Sequence, residues 1–360
     1  MLCAIWYTKE SSTDVTFAER KSTIFSDVHS FVARRMLLIV STCLMVPLAS
    51  VGRGDEPDKM IRLGMIGLDT SHVIAFTSYL NNPKNNAGCK VVAAFPGGSP
   101  DFKASADRVE KFTTEMRDKY GVEMVGSIQE LCGKVEGIML ESVDGRPHLE
   151  QARIVIEAGK PLWVDKPVAD DLTDVIELFR LAKEKNVPCW SSSAMRFGEA
   201  VASARRNEEL GDIVACDVFG SSSWAELHPS LYLYGIHAVE PLFTVMGTGC
   251  EAVKRIKTDR GDLVVGTWKG GRIGTFRDLR GGKTDFPTII YGSKKMATAK
   301  SAGYTPLLVE IVKFFKTGKP PVSADETIEI YAFMSAADES HAQGGAAISI
   351  AEMISKAKAK

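Results

Sequence analysis

Four short stretches of this chain carry side chains that can do chemistry. At residues 64–73 it reads GMIGLDTSHV, an apolar run, a turn and then a segment of helical pattern. A strand–turn–helix junction of this kind is where an α/β protein places a phosphate loop, usually worded G-x-G-x-x-G. Gly67 holds the first position, Asp69 the second and His72 the third. Thr70 and Ser71 can cap the helix that follows, and a helix N-terminus attracts phosphate. Asp69 adds a carboxylate beside that site. Two like charges ~4 Å apart at an effective dielectric of 20 repel by about 4 kcal/mol. A dinucleotide suits this loop if the Asp69 carboxylate turns away, for instance to cap the helix.

Lys166, in WVDKPVA, stands at the carboxyl end of an apolar segment. Open α/β sheets bind ligands at that end of their strands. An ammonium there can hold a substrate oxygen and stabilise alkoxide charge developing on it. His237, in YGIHAVE, opens another helical stretch, and an imidazole titrating near neutrality suits proton transfer. Glu240 falls one turn later on the same face, and Tyr232 and Tyr234 offer phenols or core packing. In SSSWAELHPS, Trp224 and His228 offer a flat ring and polar groups, as a carbohydrate site needs, although a purely structural loop reads equally well. No metal site is expected, because Asp69 and His72 alone are not a ligand set. The seven cysteines include no C-x-x-C pair and no zinc spacing with histidine, so they read as small buried hydrophobes.

Residues from 58 onward alternate strand and helix. IRLGMIG (61–67), KVVAAF (90–95), VEGIMLES (135–142), PLWVD (161–165) and VPCWSSS (187–193) read as strands. Residues 71–80, 103–119, 148–159 and 169–186 read as helices, and Ser127 with Glu130 forms a capping box. That rhythm predicts an α/β fold, with a Rossmann-like parallel sheet over 58–190. Residues 191–360 change rhythm to short strands between Gly and Asp turns, flanked by helices at 198–210, 237–247, 305–318 and from about 344. They predict an α+β domain with a large, mostly antiparallel open sheet. The cleft between the two is the expected ligand site. The chain has 360 residues, a net charge of −1 and scattered basic residues, which gives no reason to expect a nucleic-acid partner.

GLDTSH (67–72), EAGKPLWVDKPVA (157–169), SSSAMRFG (191–198) and YLYGIHAVEPLF (232–243), in this order and spacing, resemble the glucose–fructose oxidoreductase / inositol dehydrogenase / MocA family. AGKPLWVDKP is the most specific part, with Asp165 in place of the family's glutamate. The resemblance implies a two-domain dehydrogenase that uses NAD or NADP and moves a hydride to or from a carbinol carbon of a sugar or cyclitol. It implies Lys166 and His237 as the catalytic pair, with Glu240 in the place of a second acid. It places Gly67, Asp69, Thr70, Ser71, His72, Ser142, Asp165, Lys166 and Arg196 around the cofactor, and Trp224, His228 and Tyr234 around the substrate. It also implies a homo-oligomer. Leu233 stands where the family has its first acid, Ala194 where it has asparagine, and Pro96 where an acid would hold the adenosine ribose. A cofactor-free carbohydrate-binding or scaffold protein on the same fold is the alternative.

Residues 1–57 differ from the rest. Arg34 and Arg35 precede the apolar run 37–48, and Ala49, Ser50 and Gly52 follow it. This order predicts an export signal and an exported or periplasmic protein, or a cytoplasmic one if the N-terminus is mis-assigned. No membrane segment is expected beyond that signal.

Overall fold

The computed structural model describes residues 60–220, 231–279, 285–301 and 303–360. The expected leader at 1–57 lies outside them, as do Trp224 and His228.

The first half builds six strands: β1 (Ile61–Ile66), β2 (Cys89–Phe95), β3 (Glu123–Met124), β4 (Gly137–Leu140), β5 (Leu162–Val164) and β6 (Cys189–Ser191). They form one parallel sheet in the order β3-β2-β1-β4-β5-β6. Helices α1 (Ser71–Leu80), α2 (Lys103–Ala106), α3 (Val109–Tyr120), α4 (Ile128–Lys134), α5 (His148–Glu157) and α6 (Leu172–Glu184) connect and flank the strands. Both faces are covered, so the strands are apolar without alternation; Met65, Ile66, Met139, Leu140, Trp163 and Val164 are fully buried. The strand order reverses between β1 and β4, and a crevice opens outside the carboxyl ends of strands at such a point.

The capping box forms as expected: Ser127 Oγ accepts from Glu130 N at 3.1 Å. The Glu130 carboxylate reaches one residue further back than the usual box, to the Gly126 amide at 3.0 Å. The single helix expected over 103–119 is broken at Arg108, whose φ/ψ of −121°/−32° is not helical. The piece before the break is pinned elsewhere, because Ser105 Oγ accepts from Ser99 N and donates to Asp69.

The second sheet contains β7 (Ile213–Gly220), β8 (Cys250–Thr258), β9 (Gly261–Trp268), β10 (Ile273–Leu279), β11 (Thr288–Gly292), β12 (Met296–Ala299) and β13 (Ile348–Ser349). Its order is β12-β11-β7-β10-β9-β8-β13, antiparallel except for the parallel β7–β10 pair. Along β10, Gly274, Phe276 and Asp278 are buried while Ile273, Arg277 and Leu279 are exposed, the period of a one-sided sheet. The expected helix at 198–210 shortens to α7 (Glu199–Ser203) and a 3₁₀ turn at Ala204–Arg206. Helices α8 (Ile236–Met246) and α10 (Ala324–Ala342) pack on the buried face. Between them in sequence, α9 (Thr305–Thr317) returns to the first sheet, where Leu307, Leu308, Ile311 and Phe314 share a core with Leu63, Met65, Trp163 and Trp190. The last helix, α11 (Ile350–Lys358), starts later than expected because Gly344 and Gly345 take positive φ. Among the described residues no helix is long and apolar enough to cross a membrane.

Candidate active site

The carboxyl end of β5, the start of α1 and the start of α8 meet around a cavity of about 240 Å³. Its charged and polar lining is His72, Asp165, Lys166, Ser193, Tyr234, His237 and Tyr304. Thr70 caps α1 by accepting from His72 N at 3.4 Å, which starts the helix with His72 as its second residue. The His72 ring is stacked on Phe76 at 5.0 Å and meets Tyr304 edge-on at 4.9 Å. Its Nδ1 lies 2.5 Å from Asp165 Oδ2. Asp165 Oδ1 accepts from the Lys166 amide at 2.8 Å. Burial alone would push the Asp165 carboxyl up, but His72 and Lys166 outweigh it and hold it below its ordinary value. The Lys166 ammonium stands 5.5 Å from the centroid of the Tyr234 ring.

His237 reaches the cavity through a tight turn. A Cβ at Gly235 would stand 2.6 Å from the Leu231 carbonyl oxygen, so this turn needs glycine. Ser193 Oγ lies 2.7 Å from His237 Nδ1. Burial, then the positive charges of Lys166 and His72, hold the His237 pKa well below that of an ordinary imidazole. The ring is therefore neutral at physiological pH, the state a proton acceptor requires. Pro241 sits inside α8 four residues on and has no N–H for the His237 carbonyl.

Glu240 and Arg196 do not line the cavity. Arg196 Nε donates to Glu240 Oε2 at 2.6 Å, and its Nη1 meets Glu326 at 2.7 Å. Arg196 is 8% exposed and Glu240 1%. The pair bridges the turn after β6 to α8 and α10. Ser142 also turns inward: its hydroxyl donates to Gln151 Oε1 at 3.0 Å, and its carbonyl accepts from His148 Nε2 at 2.8 Å. Ser71 is exposed at the start of α1.

One group that the sequence did not single out lies behind this lining, beside His72 and Asp165. Glu141 directly follows β4 and is fully buried, and neither of its carboxylate oxygens has a hydrogen-bond partner. Burial, then the Asp165 and Asp69 carboxylates, push its pKa well above the ordinary value. A buried polar group left unpaired costs about 1–3 kcal/mol.

The crevice at the switch point is filled by the chain itself. Leu68 and Asp69 are fully buried, and Thr70, Ser142, Val143 and Asp144 are each at most 9% exposed. The Asp69 carboxylate does not cap α1. Its Oδ1 accepts from Val143 N at 2.8 Å and its Oδ2 from Ser105 Oγ at 2.6 Å. It thereby ties the β1 turn to the segments that follow β4 and β2. Burial raises its pKa, against those two hydrogen bonds. Gly67, at φ +84°, is so close to Ser142 that a Cβ would stand 2.3 Å from its hydroxyl. The Leu68 amide, which a phosphate loop would offer to a ligand, donates to the Pro96 carbonyl at 2.7 Å. Phe102, 4% exposed, packs with Val143 and Leu233 over the top, beside Ala104 and Tyr234. In this structure Asp69, Val143 and the 99–106 segment occupy the space beside the β1 turn, where a phosphate loop would offer room to a pyrophosphate.

Arg146 clamps that segment. Its guanidinium donates to Asp101 at 2.7 Å and to Asp144 at 2.6 Å. Burial would raise the Asp144 carboxyl, but hydrogen bonds from Arg146 and Ser99 hold it below the usual range. An acid whose pKa is depressed on folding adds stability above its unfolded pKa of about 3.9, and that stability is lost as pH falls through the lower folded value. The urea midpoint of the wild-type chain should therefore fall more steeply below about pH 4 than that of Arg146→Ala. Equal slopes in the two proteins would remove the clamp.

A parallel sheet in this strand order, with a second one-sided sheet and a small charged cavity at the strand ends, defines a Rossmann-type two-sheet α/β protein. Residues 61–193 match the family described as "Oxidoreductase family, NAD-binding Rossmann fold", the glucose–fructose oxidoreductase / inositol dehydrogenase / MocA family. It is 31% identical over 111 residues to the uncharacterized oxidoreductase YhhX of Escherichia coli; the match spans 28% of this chain and 32% of that protein. The chain is similar in fold to a probable dehydrogenase from Thermotoga maritima, with a TM-score of 0.69 at 18% identity over 82% of this chain and 100% of that one. It is also similar to the scyllo-inositol dehydrogenase of Lactobacillus casei with bound NAD(H) and scyllo-inositol, with a TM-score of 0.67 at 13% identity over 81% and 100%. The myo-inositol 2-dehydrogenase of Lactobacillus plantarum gives 0.68 at 16% identity over 81% and 99%.

Proposed function

We propose that this chain takes one keto sugar or keto-cyclitol into the Lys166–His237 cavity and carries out proton transfer on it, with no dinucleotide in the crevice. The observation that carries this reading is the contrast between the two spaces. The cavity gathers an ammonium, a neutral imidazole and a His–Asp pair in about 240 Å³, below the usual ~300–1,000 Å³ of a ligand pocket, while the crevice is packed shut. Lys166 holds a substrate carbonyl oxygen and stabilises the negative charge that develops on it. His237 takes the proton from the neighbouring hydroxyl-bearing carbon and returns it to the former carbonyl carbon, while the proton of that hydroxyl passes to the oxygen that Lys166 holds. The carbonyl moves along the ring with no net oxidation, so no external oxidant or reductant is consumed.

A second reading is favoured by the family match over 61–193. In it the chain is an NAD(P)-dependent dehydrogenase of the corresponding polyols, and the 99–106 segment has to leave the crevice before hydride transfer. Proton NMR of keto-inositols and ketohexoses in deuterium oxide separates the two. Exchange of the hydrogen next to the carbonyl without added nucleotide supports the first reading, and Lys166→Ala and His237→Ala should each slow it by about 10²–10⁴-fold. No exchange, together with turnover once NAD(P) is supplied, overturns it in favour of the second.

A further inference from the structure

We propose that His72, Glu141 and Asp165 form a binding site for one divalent metal cation in the floor of the cavity. One ligand atom from each residue lies within 4.8 Å of the other two, and all three residues are buried. An independent observation points the same way: both Glu141 oxygens are buried and have no hydrogen-bond partner. A carboxylate whose lone pairs no protein donor takes is suited to a ligand that supplies positive charge. The local charge agrees. The Asp165 and Asp69 carboxylates both act on Glu141, and Lys166 acts on Glu141 and, after His72, on Asp165.

One imidazole nitrogen and two carboxylates make a donor set for a borderline or hard divalent ion, namely manganese, iron, cobalt or zinc. His72 and Asp165 line the cavity whereas Glu141 lies behind them, so a bound ion would keep an open position towards the cavity. The surrounding groups already orient the ligands. The Lys166 amide holds the second Asp165 oxygen, and Phe76 and Tyr304 hold the His72 ring. Metal binding would replace the present His72–Asp165 hydrogen bond. The group Asp170, Asp171 and Asp174 also offers close carboxylates, but it is partly exposed and has no such buried, unpartnered member. The proposal does not depend on which substrate fills the cavity.

The test uses the full chain, stripped with chelator and titrated with cobalt(II). One equivalent should bind, with visible d–d absorption and a rise in melting temperature. Glu141→Gln keeps the shape and removes the charge, and should weaken binding at least ~100-fold, since even the outer partners of metal ligands are worth 10–100-fold. Asp174→Asn should bind as the wild type does. If Glu141→Gln does not fold, His72→Gln carries the same prediction. No binding of cobalt, zinc or manganese up to about 1 mM overturns the proposal. So does wild-type affinity in a folded Glu141→Gln or His72→Gln.

Discussion

Arg196→Met is expected to destabilise the folded chain by about 3–5 kcal/mol, the range for removing one partner of a buried ion pair. The guanidinium is 8% exposed and is shared between Glu240 at 2.6 Å and Glu326 at 2.7 Å. Without it Glu240 keeps only distant contacts, with Ser192 Oγ and Ser193 N at 3.4 Å each. Burial already raises the Glu240 pKa against the pull of Arg196, so the variant would bury a carboxylate with no counter-charge or protonate it. Arg196→Lys should recover little, because an ammonium cannot bridge two carboxylates through the same planar fork. The double variant Arg196→Met, Glu240→Gln should be more stable than the single one, since it no longer strands a charge. Urea unfolding of the wild type and the three variants measures this. A loss under ~1 kcal/mol in Arg196→Met would show that the pair is not the brace between the β6 turn, α8 and α10, since exposed pairs are worth that little. The same variant should leave the cavity itself in place, because neither Arg196 nor Glu240 lines it.

The position of Lys166, His72 and His237 was legible in the sequence because each opens or closes an element whose pattern is strong. Apolar strands ended by turns and a serine–threonine cap mark the sheet edge without any tertiary knowledge. Glu141 was not legible. In VEGIMLES it reads as one polar residue at the end of an apolar run. Only the pairing of β4 with both β1 and β5 brings it beside residues 69 positions earlier and 24 later. Phe102 in SPDFKAS likewise reads as part of a loop, and only the fold shows it covering the crevice. Helix α10 escaped for a different reason. Ile330, Tyr331, Ala332, Phe333 and Met334 are consecutive and all buried, so the helix has no polar face to reveal its period. Arg196 and Glu240 had the types and spacing of site residues, but burial has turned that chemistry to bracing.

The wild-type chain is expected to show no NADH or NADPH binding up to about 1 mM, an affinity weaker than about −4 kcal/mol. The variant Asp69→Gly, Phe102→Ala is expected to gain it. Two obstacles stand in the crevice and they act differently. Phe102 is steric: its ring closes the space between Val143 and Leu233. Asp69 is both electrostatic and mechanical, since it would face a pyrophosphate and since it ties Ser105 to Val143. The charge alone is worth about 4 kcal/mol at ~4 Å in an effective dielectric of 20, or roughly 10³-fold in affinity. Glycine at position 69 removes the charge and restores the wording of a phosphate loop at its second position. Truncating Phe102 costs stability, so the melting temperature of the variant has to confirm that it is folded. Fluorescence titration of both proteins with NADH then decides between the two readings of the site. Micromolar binding by the wild type would mean that residues 99–106 leave the crevice readily, and the dehydrogenase reading would stand. A folded double variant that still ignores NADH would show that the rest of the crevice, from Pro96 to the Arg146 clamp, has diverged as far as the loop itself.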